Sequence, residues 1–321
     1  MPSKTHDLLA TMFRETREKW GTGPFSLEGE RAAIRAYEDA YRPVPGVTDE
    51  ETDGLVPGAR LMTPDDARDD VVIVFVHGGG FRVGSAKAVR GIGAQLALGT
   101  RARVLLPEYR LAPEHPYPAA LDDCEAAFQH ALSSFPEAGM VVGGESAGAN
   151  LAAALLLRRR DAGDARALAG VLYAGVFDLR PENYARGSWV ANAETDLILS
   201  PASGPIMTAD YLAGQTPDDG YVSPALADLR GLPPLFVQVS SAELLLDDSL
   251  ALVTNAARAG VHVELEVWPH VQHVWQAATG FLPEATEAVD RTVAFIQRVA
   301  EGRVVDGAAL SGGPASFEEV M

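Results

Sequence analysis

Short, continuous runs of apolar residues alternate along the chain with stretches in which apolar residues recur every three or four positions. The clearest run is Val71–Val76, which is mostly β-branched and is typical of a strand buried on both faces. Comparable runs predict strands at residues 103–106, 140–142, 171–177, 235–239 and 263–268. Helical spacing predicts helices at residues 119–132, 147–160, 247–259 and 283–300. This alternation predicts an α/β fold with a mostly parallel central sheet and helices on both faces.

Segments outside this alternation predict a helical cap around the α/β core. In residues 1–45, apolar residues recur at helical spacing with a glycine-containing break at 21–24, which predicts an N-terminal helical cap segment. The interval 179–224 is too long for an ordinary connection and is interpreted as a cap excursion with a helix at 202–212. The core then comprises residues 46–178, which open with a hairpin, and residues 225–301. Residues 302–321 contain Gly-Gly-Pro without periodicity and predict a flexible tail.

Composition narrows the expected partners. The chain of 321 residues has a net charge of −18, and such a surface repels a phosphate backbone, so no nucleic acid partner is expected. No apolar stretch approaches the roughly 18 residues that span a bilayer, so no membrane partner is expected either. The N-terminal residues lack the apolar core of a signal peptide, which predicts a cytoplasmic protein. The single cysteine, Cys124, excludes a disulfide scaffold and is interpreted as a packing residue.

The pentapeptide Gly144-Glu145-Ser146-Ala147-Gly148 lies between a predicted strand and a predicted helix. It matches G-x-S-x-G, in which a sharp turn from strand to helix projects a serine hydroxyl above the sheet. The positive end of the following helix favours negative charge near that oxygen. Ser146 is therefore the expected nucleophile.

A second motif, His77-Gly78-Gly79-Gly80-Phe81, directly follows the predicted strand 71–76. Three successive glycines leave backbone N–H groups accessible, so this loop is expected to supply donors to an oxyanion. A phosphate-binding loop would require a Lys-Ser or Lys-Thr pair that closes the motif, and the sequence has none here.

A serine nucleophile needs a histidine base that is held by a carboxylate. Four histidines are interpreted as surface or structural residues, namely His6, His115, His130 and His262. His270 and His273 follow the last predicted strand at its C-terminal end, where α/β sheets build their sites, and both remain candidates on this ground.

The order Ser, acid, His places the acid between Ser146 and the histidine base. Glu243 lies just past the predicted strand 235–239 and is preferred. Two alternatives remain. Asp247 is one, although it also fits a helix N-cap, and Asp178 at the end of strand 171–177 is the other.

Four motifs together resemble the hormone-sensitive-lipase branch of the α/β-hydrolases, the bacterial esterases with an HGGGF loop. They are the loop at 77–81, Tyr-Arg-Leu-Ala-Pro-Glu-His at 109–115 with Pro-Ala-Ala-Leu-Asp-Asp at 118–123, the pentapeptide at 144–148, and Trp-Pro-His-Val-Gln-His-Val-Trp at 268–275. The resemblance runs from about residue 71 to residue 298. It implies the α/β-hydrolase fold with a helical cap.

The resemblance also implies roles for individual residues. Ser146 is the implied nucleophile and His273 the implied base, and the implied oxyanion donors are the N–H groups of Gly79, Gly80 and Ala147. Two positions depart from the common pattern. Glu145 stands where most relatives have Asp, with a side chain expected to point away from the attack. Glu243-Leu-Leu stands where many have Asp-Pro-Leu, although a Glu-bearing subset is similar.

The expected function is that of a serine carboxylesterase that hydrolyses small or medium acyl esters, or lactones, through an acyl-enzyme. Alternatives are an amidase or deacetylase with the same triad and, on the same fold, a non-catalytic small-molecule receptor. The expected acyl pocket draws on the cap residues Tyr184, Trp189, Ile206, Met207 and Tyr211. No metal or organic cofactor is expected, and the family resemblance suggests a homodimer.

Overall fold

An eight-stranded sheet lies at the centre of the residues that the structure describes. The structure is a computed structural model and describes residues 3–20, 26–164 and 166–304. The strands are β1 Val47–Glu51, β2 Arg60–Pro64, β3 Val71–Val76, β4 Arg103–Leu106, β5 Gly139–Glu145, β6 Ala167–Tyr173, β7 Leu235–Ser240 and β8 Val263–Trp268. Their order across the sheet is β1-β2-β4-β3-β5-β6-β7-β8. The β1/β2 and β2/β4 pairs are antiparallel and all other neighbours are parallel.

Helices connect most of the parallel strands and extend before and after them. They are α1 Lys4–Trp20, α2 Leu27–Asp39, α3 Arg90–Thr100, α4 Ala119–Ser134, α5 Ala147–Asp161, α6 Ser188–Ala191, α7 Ser203–Leu212, α8 Leu246–Arg258 and α9 Pro283–Ala300. Short 3₁₀ turns occur at residues 86–89, 183–185, 224–226 and 275–278. Every helix in the described part of the chain is too short or too polar to cross a membrane.

Strand β3 separates two apolar layers. Its alternate residues Val72, Val74 and Val76 belong to the core that α4, α5 and α8 cover, whereas Ile73 and Phe75 belong to the core under α3 and α9. Every residue of β3 is buried because successive side chains of a strand point to opposite faces and both faces are covered. The sheet and its two helical layers confirm the α/β-hydrolase fold that the sequence predicts.

The prediction for strand 171–177 is wrong at its C-terminal end. Strand β6 ends at Tyr173, and Ala174 follows with a left-handed backbone at φ 47°. The apolar run continues to Phe177 because these loop residues are buried against helix α5, whose Asn150 side chain donates to the Val176 carbonyl at 2.7 Å. A continuous apolar run therefore did not distinguish the strand from the buried loop after it.

The prediction that β8 is buried on both faces is also wrong. β8 pairs only with β7 and forms the edge of the sheet in the described residues, and Val267 is 43% exposed. The alternation of glutamate with apolar residues in Val263–Trp268 is the pattern of a half-buried strand. Helix α3 was not predicted, because glycines at positions 91, 93 and 99 lower its helix propensity.

The segments assigned to a cap contain α1 and α2 at the N-terminus and α6 and α7 between β6 and β7. The division into cap and core stays a prediction. The predicted break at 21–24 lies outside the described residues, as does most of the predicted tail, from residue 305 onward.

Asp248, at the start of α8, joins the 179–224 interval to the sheet. Its buried carboxylate accepts hydrogen bonds from the backbone N–H groups of Phe177 and Asp178, at 2.9 and 3.0 Å. It also accepts from the side chains of Asn183 and Trp189, the latter at 2.9 Å. Burial raises the pKa of Asp248 to about 6, and these donors oppose that shift.

We expect Asp248→Ala to lower the free energy of unfolding by about 3 kcal/mol or more, because four buried donors lose their acceptor. Urea denaturation followed by tryptophan fluorescence measures this. Asp290→Ala removes an exposed aspartate of α9 and serves as the control, with an expected change within about 0.5 kcal/mol. Equal changes in the two variants would contradict the role of Asp248.

Candidate active site

Ser146 lies at a strained turn between β5 and α5. Its backbone has φ 56° and ψ −122°, a conformation that non-glycine residues rarely adopt. Its own N–H donates to the Tyr173 carbonyl of the neighbouring strand at 2.8 Å. A Cβ on residue 148 would lie 2.2 Å from the Val76 carbonyl oxygen, so only glycine fits there. The turn therefore has the geometry that the G-x-S-x-G motif predicts.

His273 connects Ser146 to Glu243. Its Nε2 lies 3.0 Å from Ser146 Oγ, and its Nδ1 lies 2.5 Å from Glu243 Oε2. A carboxylate only accepts hydrogen bonds, so Nδ1 carries the proton and Nε2 presents a lone pair to the serine hydroxyl. This is the arrangement in which an imidazole can take the hydroxyl proton.

The carboxylate of Glu243 is held from both sides. Oε1 accepts from the N–H of Ser240, the last residue of β7, at 2.6 Å, while Oε2 faces His273. The other acids that the sequence left open have different partners. Asp247 accepts from the Ser188 N–H at 2.9 Å, and Asp178 pairs with Arg180 at 2.7 Å.

His270, the other candidate base, is exposed at a backbone φ of 69°. Its carbonyl accepts from Nε2 of His6 in helix α1 at 2.7 Å. The structure thus brings His273, and not His270, to the serine.

Burial lowers the pKa of His273, but the Glu243 hydrogen bond and the surrounding negative charges outweigh burial and raise the pKa above its usual value. The charges are those of Glu243, Asp196 and Glu145. A base acts only when it is unprotonated, so activity is expected to fall as the pH drops below this raised pKa.

The loop after β3 presents backbone donors beside Ser146. Gly79 and Gly80 both have positive φ, at 103° and 58°. Within residues 3–20, 26–164 and 166–304, the N–H groups of Gly79, Gly80 and Ala147 donate to no protein acceptor. Unpaired N–H groups beside a nucleophile are what an oxyanion requires.

Glu145 contacts this loop, which the sequence did not predict. Its Oε1 accepts from the N–H of Gly78 at 2.6 Å, and a Cβ on residue 78 would lie 2.3 Å from its Oε2. Burial raises the pKa of Glu145, whereas the charge of His273 and the bond from Gly78 lower it. The turn at Ser146 and the glycine loop, residues 77–81, are therefore joined directly, and the sequence signal for this contact was the acidic residue before the serine.

Aromatic contacts support the same loop. The ring of His77 stacks on Tyr109 with centroids 4.0 Å apart, and burial lowers the pKa of His77 to about 4, so this histidine is neutral at pH 7. Phe81 stacks on Tyr211 of helix α7 at 3.8 Å. The motif at 109–115, which follows β4, has its own support: the guanidinium of Arg110 donates two 2.8 Å hydrogen bonds to Asp123.

The residues expected to line an acyl pocket occupy different places. Met207 lies against the glycine loop, since its Cγ is 3.3 Å from where a Cβ on residue 80 would be. Tyr211 packs on that loop through Phe81, and Ile206 is half-buried on the same helix. Tyr184 and Trp189 pack edge to face at 4.7 Å, and the latter donates to Asp248.

Comparison with known proteins gives the same fold and related sequences. A family model described as the α/β hydrolase fold matches residues 73–277. An acetyl-hydrolase of Streptomyces hygroscopicus is 38% identical over 231 residues, which cover 72% of this chain and 76% of the relative. The carboxylesterase NlhH of Mycobacterium tuberculosis is 30% identical over 309 residues, covering 91% and 95%.

Among solved structures, an esterase from the bacterial hormone-sensitive lipase family superposes with a TM-score of 0.85 at 34% identity, covering 94% of this chain and 99% of that one. Fold and site define a hydrolase with a serine in a nucleophile elbow. The chain belongs to the α/β hydrolase family, in its hormone-sensitive-lipase-like branch. These findings confirm the family and the enzyme class predicted from the sequence, a carboxylic ester hydrolase.

We expect Glu243→Gln to lower kcat by about a thousandfold or more, because the imidazole loses the acceptor that fixes its tautomer. The acid limb of the pH profile of kcat/KM should also move to lower pH, since a group that raises the pKa of His273 is removed. Steady-state kinetics from pH 5 to 9 measure both effects.

Asp247→Asn is the matched control for this variant, because Asp247 is the neighbouring acid that the sequence left open. Its kcat should stay within about tenfold of that of the wild type. A larger loss in Asp247→Asn than in Glu243→Gln would contradict the assignment of the acid.

Proposed function

We propose that this protein is a serine carboxylesterase that cleaves small or medium acyl esters, or lactones, through an acyl-enzyme on Ser146. The observation that carries the proposal is the chain of hydrogen bonds from Ser146 Oγ through His273 to Glu243, at 3.0 and 2.5 Å. The N–H groups of Gly79, Gly80 and Ala147, which find no acceptor in the part of the chain that the structure describes, support the second requirement of acyl transfer.

In the proposed cycle, His273 Nε2 takes the proton of Ser146 as Oγ attacks the ester carbonyl carbon. Glu243 keeps the other ring nitrogen protonated and stabilises the imidazolium. The tetrahedral intermediate collapses, the C–O bond to the alcohol breaks, and His273 gives its proton to the departing oxygen. Water then attacks the acyl-enzyme with the same proton transfers and releases the acid. The cycle requires no metal or organic cofactor.

The N–H groups of Gly79, Gly80 and Ala147 are the proposed donors to the oxyanion. Removing one such donor from a serine hydrolase raises the barrier by about 3 kcal/mol, which corresponds to a rate loss of a hundredfold or more. The bond from Gly78 to Glu145 supports the assignment, because it holds the glycine loop next to the serine without using the proposed donors.

A cap over the site, formed by residues 1–45 and 179–224, is part of the proposal. Helix α7 contacts the glycine loop through Met207 and Tyr211. Arg31 of α2 donates to the Arg82 carbonyl, just after that loop, at 3.1 Å. Met207 beside Gly80 limits the space for the substrate, which supports a small or medium acyl group. The name of the acetyl-hydrolase relative agrees with a small one.

A homodimer and a cytoplasmic location, both expected from the sequence, remain predictions. Among the described residues β8 pairs on one side only, with β7, and this supports the dimer because such an edge can pair with a second strand.

Labelling with a fluorophosphonate tests the nucleophile. We expect intact-mass analysis to find one adduct on the wild-type protein and none on Ser146→Ala, because the variant lacks the attacking oxygen. Ser133→Ala is the matched control, since this serine is exposed on α4 and its hydroxyl donates to the Gln129 carbonyl of the same helix; it should be labelled as the wild type is. An adduct that persists on Ser146→Ala would contradict the proposal.

The acyl preference is tested with p-nitrophenyl esters of acetate, butyrate, octanoate and palmitate. We expect kcat/KM to be highest for acetate or butyrate. Met207→Ala should raise the octanoate-to-acetate ratio of kcat/KM about tenfold, because the pocket gains the volume of three heavy atoms.

Met140→Ala is the control for this change, because it removes the same volume from a buried residue of β5. The ratio in this variant should equal that of the wild type. A wild-type preference for palmitate would contradict the proposed substrate class.

A further inference from the structure

The loop that carries Glu243 is held by a segment of the 179–224 interval. We call residues 241–244 the acid loop and residues 188–197 the clamp segment. The Asn192 side-chain amide donates to the carbonyls of Ser241 and Glu243, at 3.0 and 2.8 Å. Two hydroxyls of the clamp segment donate to the remaining carbonyls of the acid loop: Thr195 to Ala242 at 2.9 Å, and Ser188 to Leu244 at 2.6 Å. Every carbonyl of the acid loop therefore has a side-chain donor from the clamp segment.

Asp196 of the clamp segment accepts a hydrogen bond from the acid loop, whereas the other three side chains donate to it. It is fully buried, and its Oδ2 accepts from the N–H of Leu244, the residue after Glu243, at 2.9 Å. The next residue, Leu197, donates its N–H to Gln272 Oε1 at 2.8 Å, immediately before His273. Asp196 thus lies where the clamp segment meets both the acid loop and the loop of the base.

A local role in its own turn accounts for the hydrogen bonds of only one carboxylate oxygen of Asp196, Oδ1. Oδ1 accepts from the N–H groups of Ile198 and Leu199, at 3.0 and 2.8 Å, which is the usual way an aspartate stabilises a turn. An asparagine or serine would serve that turn as well. The bond from Leu244 to Oδ2 and the burial of a full negative charge beside the triad are not explained by the turn.

The charge of Asp196 acts on His273. The negative groups that face this imidazole are Glu243 from the acid loop, Asp196 from the clamp segment and Glu145 from the nucleophile elbow, and each of them raises its pKa. Burial of the ring acts in the opposite direction. In the proposed cycle His273 becomes positively charged in the transition state, so a fixed negative charge nearby stabilises that state.

We propose that Asp196 is a positioning residue of this enzyme, which holds the acid loop through the N–H of Leu244 and stabilises the imidazolium of His273 with its buried charge. This inference rests on the proposed function of Ser146, Glu243 and His273. The proposed role of Asp196 acts through Leu244 and His273, so its effect is expected on kcat and not on KM.

The test compares Asp196→Asn with Thr195→Val. Asp196→Asn keeps the shape of the side chain, removes the charge and replaces the Oδ2 acceptor of the Leu244 N–H by an amide donor. Thr195→Val removes a neutral hydrogen bond from the same segment to the same loop. For Asp196→Asn we expect kcat on p-nitrophenyl acetate to fall about tenfold or more, with KM within about twofold. The acid limb of its kcat/KM profile should move to lower pH by about half a unit or more, because a negative charge near the base is lost.

Thr195→Val should leave the acid limb at the wild-type pH, because the variant changes no charge. An unchanged limb in Asp196→Asn, an unchanged kcat, or an equal shift in Thr195→Val would overturn the proposal. Asp196→Ser, which keeps an acceptor for the turn, serves the same comparison if Asp196→Asn does not fold. Fluorophosphonate labelling separates the two levels: a wild-type protein without an adduct contradicts the triad itself, whereas a labelled and active wild type with an unshifted Asp196→Asn contradicts only the role of Asp196.

Discussion

The proposed chemistry depends on one geometric constraint: a serine hydroxyl, an imidazole and a carboxylate must meet although they lie far apart in the chain. The parallel sheet meets this constraint, because Ser146, Glu243 and His273 follow β5, β7 and β8 at the same edge of the sheet. The glycine loop follows β3, the neighbour of β5, at that edge too. The burial of β3 on both faces and the layers of helices maintain the spacing of these strand ends, so the packing of the core determines the distances in the site.

Three carboxylates surround the imidazole, and burying so much negative charge is unfavourable unless each group finds donors. In this protein each carboxylate accepts from a backbone N–H: Glu243 from Ser240, Glu145 from Gly78, and Asp196 from Leu244. Each bond also holds a different loop of the site. The carboxylates that raise the pKa of His273 therefore also hold the end of β7, the glycine loop and the acid loop.

The sequence predicted most of the fold because its strands are short apolar runs with clear helices between them. It predicted Ser146 as the nucleophile because the G-x-S-x-G pentapeptide lies between a predicted strand and a predicted helix. It failed where apolar residues are buried outside the sheet, as at Val176 and Phe177. The sequence favoured Glu243 over Asp247, but only coordinates give their hydrogen bonds, and these bring Glu243 to His273 and Asp247 to Ser188. The contribution of Asp196 had no sequence signal, since it depends on contacts between segments that are 48 residues apart.

The contacts of the clamp segment limit which segments can be exchanged between enzymes of this type. The region proposed to border the substrate also holds the loop of Glu243, the proposed triad acid, so a chimera that exchanges residues 179–224 for those of a relative also exchanges the partners of residues 241–244. Grafts that carry both stretches together keep these hydrogen bonds intact. Changes on α7 leave the partners of residues 241–244 in place, but they act instead on the glycine loop, because Tyr211 stacks on Phe81.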